Sequence, residues 1–199
     1  MNSPNVDSVL TVMTSKGYPF FDTGRINLVG IRTDDMEANK FNDFITCFYK
    51  FDGMWSFFPF PGTTDPGTFW RLNPDPNVSG TAILKPGYYP NSHFVGLHKG
   101  YEALQQKQPV TVYRDANRDA KLDVTGMKED TGIFGINLHR ANEAAPSVQV
   151  DKWSAGCQVL QDPDHFTFMM RLCKRSIGRF GNSFSYGLLE EKDFATPVA

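Results

Sequence analysis

One cysteine and one histidine carry the most distinctive chemistry in this chain. Cys157 closes the run Ser154-Ala155-Gly156-Cys157, and His139 follows the apolar run Gly132 to Leu138, eighteen positions upstream. A thiol attacks only as the thiolate, and a nearby imidazole both accepts its proton and holds the resulting ion pair. Two residues at this spacing meet if they lie on neighbouring strands joined by the loop between them. Gly156 lets the backbone turn tightly, which exposes the sulfur and leaves the amides of Gly156 and Cys157 for an oxyanion. The plain alternative is packing, since cysteine is among the most buried residue types. Spacing alone favours packing, so the surrounding elements must decide.

Those elements read mainly as strands, with a few peripheral helices. Ser3-Pro4 resembles an N-cap and first-turn proline, followed by Val6, Val9, Leu10 and Met13 on one helical face, and Lys16-Gly17 ends this helix. Ile26–Ile31 and Phe44–Tyr49 are rich in β-branched and aromatic residues, and Asp52-Gly53 marks a hairpin into Met54–Phe58. Prolines 59, 61, 66, 74 and 76 predict short extended pieces around Gly67–Leu72. Pro86 to Gly100 reads as a long loop, and Tyr101–Leu104 as one helical turn. Val110–Tyr113 is a strand, and the apolar run into His139 is a second one that delivers the ring from a rigid wall. Asp162-Pro163 caps a helix with Phe166, Met169, Met170 and Cys173 on one face, and Ser183–Leu189 alternates as a closing strand. These pieces predict one domain over 1–199: an N-terminal helix (1–17), a β-rich core (18–160) and a C-terminal helix and strand (162–199).

Composition narrows the partners. A chain of 199 residues is long enough for one well-cored domain, and its 40% hydrophobic and 21% charged residues are those of an ordinary globular protein. Its 17 Phe, 7 Tyr and 3 Trp suit broad sheet packing and ring-lined grooves. With a formal charge of −2 and no long basic run, nucleic acid is not an expected partner. Cys47, Cys157 and Cys173 are an odd number and too few for a disulfide framework. No stretch approaches the roughly 20 apolar residues that span a bilayer, and no signal peptide is evident.

Other candidates carry less. Asp115, Asn117, Asp119 and Asp123 present oxygens as calcium loops do, but Ala120 stands where the turn glycine belongs and Gly126 where the bidentate glutamate belongs. A solvated hairpin turn is the better reading. His93, His98 and His165 each stand alone, with no zinc spacing, so no metal or cofactor is expected. Cys47 sits in a hydrophobic strand and Cys173 on an apolar helix face, both as packing.

At this point the residues resemble a family. Ile136-Asn137-Leu138-His139 followed by Ser154-Ala155-Gly156-Cys157 is similar to the signature of L,D-transpeptidases with a YkuD-type catalytic domain, in which I-x-I-H-G precedes S-H-G-C-I-R or a close variant. Upstream, Thr64-Asp65-Pro66-Gly67-Thr68-Phe69 is similar to that family's T-P-x-G-x-F segment. This chain departs from the pattern at Arg140, where glycine or serine is usual, at Ala155, where histidine is usual, and at Gln158-Val159, where an apolar residue and arginine or asparagine are usual.

The resemblance implies a β-sandwich or barrel of the L,D-transpeptidase type, in which Cys157 attacks a stem-peptide carbonyl of peptidoglycan with His139 as base. An acyl-enzyme thioester then passes to an amine, giving transpeptidation or D-amino-acid exchange, or to water, giving carboxypeptidase or endopeptidase action. Gly156 and Ser154 belong to this catalytic group, Ser154 either hydrogen-bonding near the thiolate or bracing the turn. Arg140, Trp153 and Gln158 are the candidates for substrate contact, with Arg140 either binding a substrate carboxylate or simply solvated. The alternative is a non-catalytic cell-wall-binding or virion module that keeps the fold. With no signal peptide evident, delivery to the wall or periplasm is expected by another route, as for a bacteriophage protein or a secreted effector.

Overall fold

A computed structural model describes residues 2–76 and 78–195. The protein is mainly β. Helix α1 (Val6–Ser15) leads into β1 (Asn27–Arg32), β2 (Asp43–Phe51) and β3 (Met54–Thr63), then into the short helix α2 (Thr68–Leu72). Strands β4 (Thr81–Leu84), β5 (Gly87–His98), β6 (Tyr101–Gln106), β7 (Val110–Asp115), β8 (Lys128–Gly132), β9 (Leu138–Arg140) and β10 (Gln158–Leu160) follow. Helix α3 (Pro163–Phe180), β11 (Phe184–Glu190) and a 3₁₀ turn (Glu191–Phe194) are the last elements among the described residues. Eight strands close a barrel in the order β1-β11-β5-β6-β9-β10-β3-β2, and β4-β7-β8 form a separate three-stranded sheet. Among the described residues no helix is long and apolar enough to cross a membrane.

Strand β1 is buried along its whole length because it is covered on both faces. Leu28 joins the main core with Ile45, Leu104, Leu138 and Leu188, while Val29 and Ile31 pack with Val9, Val12 and Met13 of α1. The amphipathic face of α3 inserts Phe166, Met169, Met170 and Cys173 into that main core, as its spacing predicts, and Asp162 caps it by accepting from Asp164 N at 2.8 Å. At the other helix the cap is Asn5 rather than Ser3, because Asn5 and Ser8 bond each other's backbone in a capping box. The hairpin forms where expected, with Asp52 and Gly53 at φ 49° and 77°, both positive as a two-residue turn demands.

Several elements differ from expectation. Pro59 and Pro61 do not fragment β3. They pair with Thr46 and Phe44 on one side, and β10 reaches only Gly62 and Thr63 on the other, so the missing N–H groups fall on an open edge. Residues 68–72 are helical rather than extended. The supposed loop between Pro86 and Gly100 is mostly the twelve-residue β5, with Asn91 (φ 50°) absorbed by a register shift opposite Phe184 and Tyr186. Tyr101–Leu104 is strand, because full pairing with β5 from His98↔Tyr101 to His93↔Gln106 outweighs helix-forming composition. The polar Lys128–Gly132 forms β8 against β7, whereas only three residues before and including Arg140 are strand.

That short β9 meets β6 at a single register pair, Leu104↔Leu138, and a side chain supplies what the ladder lacks. Buried Gln106 accepts from Phe134 N (3.0 Å) and Ile136 N (2.8 Å) through Oε1, and donates Nε2 to Gln108 O and Gly132 O, both at 2.9 Å. The chain leading to His139 is thus fastened by one amide. Replacing Gln106 with leucine strands the buried Ile136 N–H, the part-buried Phe134 N–H and two carbonyls, and the expected loss is about 2–4 kcal/mol in urea unfolding. A midpoint within error of wild type rules out this fastening role.

Candidate active site

The barrel brings His139 and Cys157 to one seam. Strands β9 and β10 pair in parallel, with Leu138 opposite Gln158 and His139 opposite Val159. The Gln158 amide donates to Asn137 O at 2.8 Å, which places Cys157 alongside Asn137, just before the paired stretch. Because side chains alternate along strands, Cys157 and His139 fall on the same face, two positions apart, while Leu138 and Gln158 face the core.

The turn before Cys157 is built by Ser154 and Gly156. Ser154 Oγ donates to Cys157 O at 2.7 Å and accepts from Gly156 N at 3.2 Å, so of the two predicted roles for Ser154 the structure selects the brace. The Gly156 amide is thereby occupied. This corrects the expectation that both amides are free for an oxyanion, and leaves the Cys157 N–H as the one available. Gly156 itself sits at φ 124°, and a Cβ there would lie 2.5 Å from Ala82 O, so only glycine fits. Ser154 O in turn accepts from Gly67 N at 2.9 Å, and a Cβ on Gly67 would collide with Asp151 O. The Thr64–Phe69 segment and the cysteine loop are therefore one packed unit.

The protonation pattern at the histidines can be read from their partners. His139 Nδ1 lies 2.7 Å from Arg140 O; a carbonyl only accepts, so Nδ1 carries the proton and Nε2 keeps its lone pair. His98, expected to stand alone, instead stacks on His139 with ring centroids 4.6 Å apart and planes 19° apart. Asn137 links the two strands: its Oδ1 accepts from Gln106 N at 2.8 Å, which turns Nδ2 toward His98 Nδ1 at 3.2 Å and leaves the His98 proton on Nε2. His93 is a buried strut, bonded to Ile136 O at 2.8 Å, and His165 tilts against Phe60 at 5.3 Å rather than serving the surface.

Electrostatics hold the pair neutral. Burial pushes the His139 pKa down to about 4, its bond to Arg140 O opposes this, and the charges of His98, Lys99 and Arg140 add to the depression. Burial also pushes the half-buried Cys157 thiol up, against the Asn137 N–H and the Lys99 charge, which favour the thiolate. The thiol donates to Gly135 O at 3.2 Å, and among the described hydrogen bonds none joins it to His139. The resting state is thiol and imidazole rather than thiolate and imidazolium. Cys47 and Cys173 are fully buried with thiols raised by desolvation, Cys173 to about 12, and are inert packing.

The candidate substrate residues separate. Trp153 is 42% exposed and free to make contacts. Arg140 stacks its guanidinium 4.2 Å over Tyr101 and pairs with Glu143 at 3.0 Å, which leaves it ordered at the edge of the site. Gln158 is fully buried, accepting from Tyr186 Oη at 2.8 Å, so it braces the strand rather than facing a substrate. Lys99, in the β5–β6 turn, bears on His98, His139 and Cys157 electrostatically, yet it and His98 lie too far along the chain for the Cys–His spacing to signal them. Asp115 does not lie in a solvated turn: it is fully buried and paired with Arg71 at 2.8 Å. No group of three or more metal-binding side chains occurs among the described residues.

A neutral resting pair has a kinetic consequence. Alkylation of Cys157 by iodoacetamide should rise with pH only near and above the ordinary thiol range of about 8.5, with no plateau at pH 6. Labelling that is pH-independent from 6 upward would mean an ion pair instead. Comparison of the chain with protein-family models, curated proteins and solved structures finds no match.

Proposed function

We propose that this protein is a thiol-dependent acyl-transfer enzyme acting on peptidoglycan stem peptides in the manner of L,D-transpeptidases. The observation that carries the reading is the pairing of β9 with β10, which sets Cys157 and His139 on one face while His139 Nδ1–H is tied to Arg140 O and Nε2 is left as a base.

In the proposed reaction the thiol turns from Gly135 O toward Nε2 and passes its proton there as sulfur bonds to the carbonyl carbon of the stem peptide. The tetrahedral oxyanion is met by the Cys157 N–H. Collapse breaks the C–N bond, and Nε2–H returns the proton to the departing amine, so the terminal D-amino acid leaves and a thioester remains. An amine or water, deprotonated by the same nitrogen, then resolves the thioester. A depressed histidine pKa suits this cycle, since the ring is a free base at neutral pH and becomes cationic only when it takes the thiol proton. The charges of Lys99 and Arg140 lie where a substrate carboxylate would offset them. His98, stacked on His139, holds the ring plane from a strand on the opposite side of the seam.

A second reading has its own observation. Cys157 is hydrogen-bonded to Gly135 O rather than to His139, which suits a wall-binding or virion module that keeps the fold without turnover.

Incubation with purified muropeptides separates the two. Mass spectrometry should show release or exchange of a D-amino acid, abolished in Cys157→Ala and reduced about 10²–10⁴-fold in His139→Gln, the range for loss of a general base. Muropeptides that bind but stay intact support the module instead.

A further inference from the structure

Away from the seam, the barrel carries a second feature to which the proposed reaction assigns no role. Where α3 passes the β2–β3 hairpin, a trough of about 370 Å³ opens, walled by Ile26, Tyr49, Leu172 and Phe180, with Arg175 and Arg179 at its edge. The hairpin tip beside it exposes Phe51 (68%) and Met54 (71%), two of the most exposed large apolar side chains among the described residues. A concave, largely apolar trough of this size is the usual setting of a small-molecule site.

The charge at this site is equally unmatched. Arg171, Arg175 and Arg179 recur every fourth residue along α3 and so form one stripe. The neighbouring Lys174 on the same helix points away from the stripe and meets Glu102 at 2.6 Å. Among the described residues no carboxylate pairs with any of the three arginines of the stripe, and no acidic residue lines the trough. In a chain of net charge −2, adjacent like charges left unneutralised at the mouth of an apolar cavity call for an anion from outside.

We infer that this trough binds a single-chain anionic amphiphile, with its carboxylate or phosphate between Arg175 and Arg179 and its hydrocarbon tail along Ile26, Tyr49 and Leu172. The volume equals about a dozen water-sized units, which suits a medium-length chain rather than a two-chain lipid. Ser56 and the buried Ser176 supply hydroxyls for the head group on either wall. The trough shares no residue with the Cys157 seam, so the inference stands or falls independently of the proposed reaction.

Isothermal titration of the full chain with decanoate below its micellar concentration provides the test. One saturable site is expected, with acetate and decyltrimethylammonium failing to bind. The exposed pair Arg175→Gln/Arg179→Gln should weaken decanoate by tenfold or more without altering the fold, and Cys157→Ala should leave it unchanged. Chemical-shift changes should centre on Gly24, Ser56 and Ser176. Equal binding of the cationic amphiphile, decanoate affinity unaffected by the double variant, or association only with phosphatidylglycerol vesicles and not with free decanoate would each overturn the assignment.

Discussion

The seam of the barrel depends on amide side chains. A closed sheet of eight strands normally secures every neighbour by a ladder, but here β6 and β9 share one register pair and β9 and β10 are three residues each. Gln106 fastens residues 134 and 136 from one side, Asn137 ties the same stretch to Gln106 N and His98, and Gln158 anchors the far strand to Tyr186. Each amide offers both donors and acceptors, so one residue can satisfy backbone groups that a missing strand would leave bare. The seam thereby closes without long strands, and the buried His139 and half-buried Cys157 sit on backbone that side chains hold in place.

Burial at that seam sets the acid–base balance in a consistent direction. Desolvation penalises a charged imidazole and a charged thiolate alike, so both groups favour their neutral forms. The nearby charges act oppositely on the two: Lys99 depresses the histidine and favours the thiolate. A site biased this way keeps an unprotonated nitrogen ready at neutral pH and generates the nucleophile only as the proton moves. It contrasts with Cys47 and Cys173, where burial acts with no cation or backbone N–H opposing it, and the thiols are correspondingly inert.

What was legible in the sequence follows the same physics. The hairpin about Asp52-Gly53, the α3 face and the strands β1, β7 and β11 declare themselves because local composition and tertiary burial agree. Strands β5 and β6 do not. Gly-, Pro- and Asn-rich residues in the first and helix-formers in the second were overruled by mutual pairing, which no local window contains. The same holds at the site. Cys157, His139 and the turn at Gly156 lie within one short stretch and share a recognisable pattern, whereas His98 and Lys99 arrive through β5, the element read as loop. Gln158 follows the cysteine directly, yet strand alternation turns it inward to Tyr186, so it is not on the substrate side.

Next to these amides, with Gln158 Nε2 reaching Thr64 O at 3.4 Å, ionic groups do the corresponding work. Arg32 meets Asp65 at 2.7 Å and bonds Thr64 O and Leu84 O, while Asp43 accepts from Thr33 N and Thr64 N, so residues 64 and 65 are gripped from two strands, β1 and β2. Arg71, fully buried, pairs with Asp115 of the separate sheet and holds α2 down. Buried ion pairs seldom add stability over well-packed apolar residues, but they penalise every arrangement in which a partner is displaced. Here the penalised displacement is that of Gly67, whose amide holds Ser154 and through it the turn at Gly156. Register at the cysteine is thus imposed jointly by this polar core and by the amide bonds, which meet at Thr64 O.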